Sequence, residues 1–291
     1  MKKTLIVLAL LASFHVANAQ SNVNSAAKAV ESALAASQNE KKATKVATWM
    51  KLAQTYIDAY SAPAGNVWLG ADMNSLQLSM GSEKPSSVET VTIGGVQYTK
   101  QVYENKNLYF NANGQLAVIE VTKPVVEDAL SKALEAYKKA YELDEKHSKD
   151  KDISAGIKTI SEKFNQEAYN SYTLGDVKQA EAYFEAAVEA AAQKPYGQID
   201  TSSLYNAAFT SWSIENFAKA KTLFDKCLSY GYYGDNGEVF AKLSDCVSRI
   251  DTTAAGKASA KDYLEQGFQK FPTSESIVFG LINYYMTSGE G

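Results

Sequence analysis

Ala180, Ala220 and Ala260 stand forty residues apart in the C-terminal half of the chain, and each falls where the second helix of a helical hairpin is expected. Around the first two the frame is shared. A turn at Gly175-Asp176 or Glu215-Asn216 precedes the alanine, an aromatic follows at Phe184 or Phe224, and a small residue at Ala187 or Cys227. A period of this length predicts stacked helix pairs, because one pair cannot bury its own apolar face and must pack on the next. The last helix, Ser276 to Thr287, carries the apolar stripe Val278, Leu281, Ile282 and Tyr285, and the sequence stops at Gly289-Glu290-Gly291. That is the turn of a further hairpin, so the reading expects a piece of a longer protein.

The N-terminus has a different character. Met1-Lys2-Lys3 leads into an apolar run from Leu5 to Val16 and then Ala17-Asn18-Ala19, the layout of a secretory signal peptide cut before Gln20. The run is short for a membrane span, and no membrane span is expected once it is removed. Export to the periplasm or outside the cell follows. Loss of Lys2 and Lys3 moves the net charge from -4 to -6 and leaves no basic cluster, which argues against nucleic acid or an anionic membrane as partner. Cys227 and Cys246 are the two cysteines. On expected antiparallel helices they stand roughly 10 Å apart along the axis, which favours two buried thiols, although a reset of helix register by the loop would allow a bridge.

Ser25 to Ser37 reads as a short capping helix, with Val30 and Leu34 one turn apart. The next helix, about Lys41 to Tyr60, carries Trp49, Leu52, Ala53 and Tyr56. These match the W-x2-L-G-x2-Y signature of the first helix of a tetratricopeptide (TPR) repeat, with alanine for glycine. The chain thus resembles TPR proteins over residues 41–61 and 125–291, and is similar to exported TPR proteins of Bacteroidetes-like bacteria. It departs from the family in its longer repeat and tyrosine-rich connections, Lys194 to Gly197 and Gly231 to Gly237. Those connections read equally as packing between repeats or as a contact surface.

The second helix of the first repeat comes late, at Val125 to Leu143, with Ala133, Tyr137 and Ala140 at small, large and small positions. Between the two lie four β-rich segments, Glu89 to Ile93, Val96 to Tyr103, Asn107 to Phe110 and Gln115 to Val121. Gly94-Gly95 and Asn113-Gly114 supply hairpin turns. Pro63 to Pro85 reads as a loop. The expected division is a signal peptide at 1–19, a cap helix and first TPR helix at 20–62, an inserted loop and meander at 63–123, and the rest of the solenoid at 124–291. The fold class is all-α: a TPR-like helical-hairpin solenoid with a small antiparallel β-meander inserted in its first repeat. The insertion reads as functional, or else as a lid over the N-terminal hairpin.

Catalysis finds no candidate in the residues. Beyond the signal, His147 is the remaining histidine, set among Glu145, Lys146, Lys149 and Asp150 as a solvated turn. It cannot supply both a metal set and the base for a nucleophile. No glycine loop opens a helix after a strand, so no cofactor is expected. Three further hairpins follow, Phe164–Leu174 with Val177–Ala191, Leu204–Ile214 with Ala218–Leu228, and Glu238–Ile250 with Ala258–Lys270. The resemblance implies a non-catalytic scaffold that binds a protein or peptide of the cell envelope along a concave groove. Placing the first helices in the TPR frame puts Asn165, Tyr169 and Tyr172, then Tyr205, Phe209 and Trp212, then Phe279, Asn283 and Met286 on that groove, as an aromatic ladder without lysine or arginine. The register of the Glu238 helix stays open. The same aromatics could instead be core, and a glycan-binding envelope module is the alternative, drawn from the 18 tyrosines and from Asn165, Asn206 and Asn283.

Overall fold

In the computed structural model, residues 23–288 are described; the expected signal peptide and its cut before Gln20 lie outside them. The described chain is mostly helical, with one four-stranded antiparallel sheet. Helix α1, Val23–Gln38, buries Ala26, Val30, Ala33 and Ser37 against α3. The expected helix from Lys41 to Tyr60 is broken into α2, Glu40–Ala43, and α3, Val46–Ser61. The indole N–H of Trp49 donates to the carbonyl of Ala43 at 2.8 Å, so the signature tryptophan satisfies an acceptor that the break exposes. Leu52, Ala53, Tyr56 and Ile57 of α3 are buried.

Helix α3 pairs with α5, Ala129–Leu143, across the whole insertion. The helix begins at Ala129 and not at Val125, because Asp128 sits in the left-handed region at φ 54° and cannot continue a helix backwards. Ala133, Tyr137 and Ala140 are buried as the small-large-small pattern requires. From there each helix packs on the next: α6 (Asp150–Thr173), α7 (Val177–Ala192), α8 (Thr201–Ser213), α9 (Phe217–Ser229), α10 (Glu238–Ile250), α11 (Ala254–Lys270) and α12 (Glu275–Ser288). Ala180, Ala220 and Ala260 are 0%, 0% and 3% exposed, so the spacing marks points where neighbouring helices touch. Helix α6 starts well before Phe164. Its first half carries Ile153, Ile157 and Ile160, an i, i+4, i+7 stripe that joins the core of α3 and α5, while Asp150 and Asp152 occupy its first turn.

The insertion has a core of its own. Residues 63–85 are not all loop: α4, Met73–Met80, is capped by the Asp72 carboxylate, which accepts from the N–H groups of Asn74 and Ser75 at 3.0 Å each. Strands β1 (Ser87–Ile93), β2 (Val96–Val102), β3 (Lys106–Phe110) and β4 (Leu116–Val121) form a meander in that order. Leu76 and Met80 pack with Ala71, Tyr103, Leu108, Phe110 and Leu116, apart from the helical core. Lys106, 2% exposed, is held by both Glu83 carboxylate oxygens at 2.9 Å, so its buried charge is paired. The sheet leans on the helices through β4, where the Asn170 amide donates to the carbonyl of Ile119 at 3.0 Å.

The connections pack. Tyr233 stacks on Phe240 at 5.8 Å and meets Phe271 at 5.5 Å, and Tyr232 lies 5.6 Å from Tyr205. Gly237, at φ 79°, lets Phe271 approach so closely that a Cβ there would lie 2.4 Å from the ring. Cys227 and Cys246 are buried and unpaired, and burial pushes both thiols up to about 12. His147 lies in an exposed turn at φ 53°, with Nδ1 3.3 Å from Asp150.

Candidate functional site

The candidate residues sit on α6, α8 and α12, and the structure treats the three sets differently. On α6, the Asn165 amide donates to the Ser203 hydroxyl of α8, and Tyr169 accepts from the Asn206 amide at 3.0 Å while its ring meets Phe184 edge-on at 5.2 Å. Both are thereby cross-braces between α6 and the helices that follow. Tyr172 is half-buried, and burial alone raises its hydroxyl above the ordinary tyrosine range.

On α8, Tyr205, Phe209 and Trp212 recur at helical spacing and form one row, with ring centroids 6.4 Å and 5.8 Å apart. The helix beside them is α10, whose apolar residues Val239, Phe240, Leu243, Cys246 and Val247 are buried in the core. Its polar residues Glu238, Lys242, Asp245 and Arg249 recur at intervals of four, three and four, which places them on one face. Each meets an aromatic. The Tyr205 hydroxyl donates to Glu238, and the Trp212 indole N–H donates to Asp245 at 2.6 Å. The Lys242 ammonium lies 3.2 Å from the centroid of Trp212 and 5.1 Å from that of Phe209, and Arg249 lies 5.6 Å from the Phe217 ring. Burial first, and then the Glu238 carboxylate, hold the Tyr205 hydroxyl far above its ordinary value.

The helix whose register the sequence left open adds charge to this face: a row of polar side chains from α10 runs along the aromatic row from α8. The sequence contains that polar stripe, but the open register of α10 hid its partner. The third set is distinct again. Phe279 is 67% exposed and Met286 80% exposed, and Asn283 is also exposed.

Two other features lie nearby. An open depression of about 430 Å³ between α3, α5 and α6 is lined by Met50, Lys51, Gln54, Tyr137 and Asp152 among others. At the α3–α6 contact, the Tyr60 hydroxyl donates to Glu167, and Lys163 lies 4.9 Å from the Tyr60 ring while its ammonium donates to Ser61 at 3.1 Å. Burial raises the Glu167 carboxyl and lowers the Lys163 ammonium relative to their ordinary values. Among the described residues, no helix is long and apolar enough to cross a membrane.

No protein family's sequence profile matches the chain. Among curated proteins it is similar to the putative lipoate-protein ligase A of Saccharomyces cerevisiae, 27% identical over 158 residues, in strain S288c and again in strain YJM789. The match takes in 53% of this chain, and the chain spans about a third (36%) of the length of those relatives. A solved structure of the yeast Sec complex, with Sec61 pore ring and Sec63 FN3 mutations, contains a chain with 15% identity and a TM-score of 0.40. That likeness covers 63% of this chain and 98% of the other.

Proposed function

We propose that this protein is an exported, non-catalytic TPR-like solenoid that holds a protein or peptide of the cell envelope along the face formed by α6, α8 and α10. The observation that carries the reading is that Tyr172, Phe209 and Trp212 stay partly exposed, while Phe209 and Trp212 are braced by Lys242 and Asp245 of α10. Rings held in this way lose little side-chain freedom when a partner arrives, which is what a contact surface needs. Support for a repeat comes from the buried alanines at forty-residue spacing and from helices that pack in succession from α5 to α12. Lys242 and Asp245 carry opposite charges beside the row, so the face suits apolar or aromatic side chains flanked by backbone polar groups. Binding should weaken only modestly with salt.

The test uses Tyr172→Ala and Phe209→Ala in pull-downs from an envelope extract, with thermal unfolding measured in parallel. Loss of a specific protein partner at an unchanged midpoint supports the face as a site. Retention of the partner by both variants, or retention on polysaccharide with no protein captured, refutes it, and the latter result favours the glycan-binding module. Export is checked separately, by mass spectrometry for a mature N-terminus at Gln20.

A further inference from the structure

The sheet of the insertion has two edges, and they are treated unequally. The β4 edge is met by α6, whose Asn170 amide bonds a strand carbonyl. The β1 edge pairs with no strand among the described residues. Proteins usually guard such an edge with proline, lysine, a bulge or a very short strand, because its unpaired N–H and C=O groups are a template for another strand. Strand β1 has none of these. It runs seven residues, Ser-Val-Glu-Thr-Val-Thr-Ile, in unbroken register with β2, and its one charge is Glu89, opposite Lys100. Val88, Glu89, Thr90 and Thr92 are exposed.

The outer half of the β1–β2 hairpin is also unsupported. Strand β3 pairs with β2 only from Thr99 onward, so the arm from Val91 to Tyr98 is a two-stranded ribbon with no third strand beside it among the described residues. A lone ribbon of this kind is marginally stable in water, and an added strand would steady it.

We infer that β1 is a self-association edge, where a second copy of this chain adds its own β1 in antiparallel fashion to join two four-stranded sheets into one of eight. The sequence complements itself about Thr90. A two-fold axis there sets Val88 against Thr92 and Glu89 against Val91, so the two glutamates never face each other and β-branched residues pair across the junction. The hydrogen-bond phase agrees. The pair Ile93–Val96 closes the two-residue turn at Gly94-Gly95 and turns its polar groups toward each other. By alternation Val88, Thr90 and Thr92 turn theirs outward, and the axis at Thr90 brings outward groups together.

Light scattering and sedimentation of the purified chain over a concentration series should show a monomer–dimer equilibrium. Thr90→Pro removes an outward N–H in each copy without taking one from the β2 pairing, and should weaken the dimer about 30-fold. Val88→Lys with Thr92→Lys should do the same by charge while far-ultraviolet circular dichroism stays unchanged. Thr90→Cys, placed on the axis, should form a covalent dimer on oxidation, since opposed strand residues lie within disulfide reach and the native cysteines are buried. A monomer at every concentration overturns the inference, as does a Thr90→Cys chain that does not cross-link. So does a dimer that survives both edge variants but is lost in Phe279→Glu with Met286→Glu, which would place the contact on α12.

Discussion

Gly156 of α6 lies directly against the Tyr137 ring of α5. A Cβ built there would lie 2.2 Å from Cζ of Tyr137 and 2.4 Å from both Cε2 and the hydroxyl oxygen. Ordinary carbon contacts are about 3.5–4.0 Å, so more than an ångström of separation must be recovered. Tyr137 is 4% exposed, and because it lines the open depression between α3, α5 and α6, relief would have to come from displacing its ring into that space. Gly156→Ala would gain about 1 kcal/mol from helix propensity, since glycine inside a helix is unfavourable. Overpacking costs about 1–3 kcal/mol, and three ring atoms in collision place this site at or beyond the upper end, for a net loss of about 2 kcal/mol. In a chain of this size that lowers the thermal midpoint by about 4–8 °C, readable by calorimetry or by circular dichroism at 222 nm. The second arm of the test is Tyr137→Leu, which removes the colliding atoms. In that background Gly156→Ala should lose most of its penalty, a coupling of about 1 kcal/mol or more. A midpoint for Gly156→Ala at or above that of the parent chain would refute the reasoning, because it would mean that α5 and α6 do not rely on the missing side chain.

Two further outcomes follow from buried titratable groups. The Glu167 carboxyl ionises at about 4.5 when unfolded and higher when folded, so the folded state holds the extra proton in between, and stability falls as pH rises through that window. Glu167→Gln keeps an acceptor for Tyr60 and should flatten that fall in a comparison of urea midpoints from pH 4 to 7, whereas identical profiles would count against the buried carboxyl. Cys227 and Cys246, pushed up to about 12, should react with a disulfide reagent at pH 8 only as fast as the chain unfolds. Rapid labelling of the native protein would contradict their burial.

The helical hairpins were legible because small residues recur at their contacts: Ala180 and Ala220 are wholly buried in the core between neighbouring helices. The meander was legible because Gly94-Gly95 and Asn113-Gly114 punctuate β-branched runs, and the strands begin and end within two residues of the expected places. Helix α4 escaped because it has only Leu76 and Met80 to bury and lies among prolines and glycines. Its signal was local, the Asp72 cap with Ser75 three residues on. The first half of α6 was masked by its solvent face, where Asp150, Lys151 and Asp152 read as a charge run beside the Ile153–Ile157–Ile160 stripe. At the candidate site the aromatic row on α8 could be read from one helix. The polar row on α10 could not, because its meaning lies in the pairing of two helices thirty-three residues apart, Tyr205 with Glu238 and Trp212 with Asp245.

The placement of the sheet inside a helical pair also sets an order of assembly. Helix α3 is complete at Ser61 and its partner α5 starts at Ala129, so their contact closes the longest loop in the first core. Closing a long flexible loop costs entropy before any contact rewards it, whereas the β1–β2 hairpin needs only two turn residues and the strands after it are sequence neighbours. Once α4 and the meander have condensed, the span from α3 to α5 is no longer flexible chain but a folded bridge, and the entropy of bringing its ends together has largely been met within the insertion. Refolding should then show strand formation ahead of the α3–α5 contact, with Trp49, beside that contact, reporting the later step.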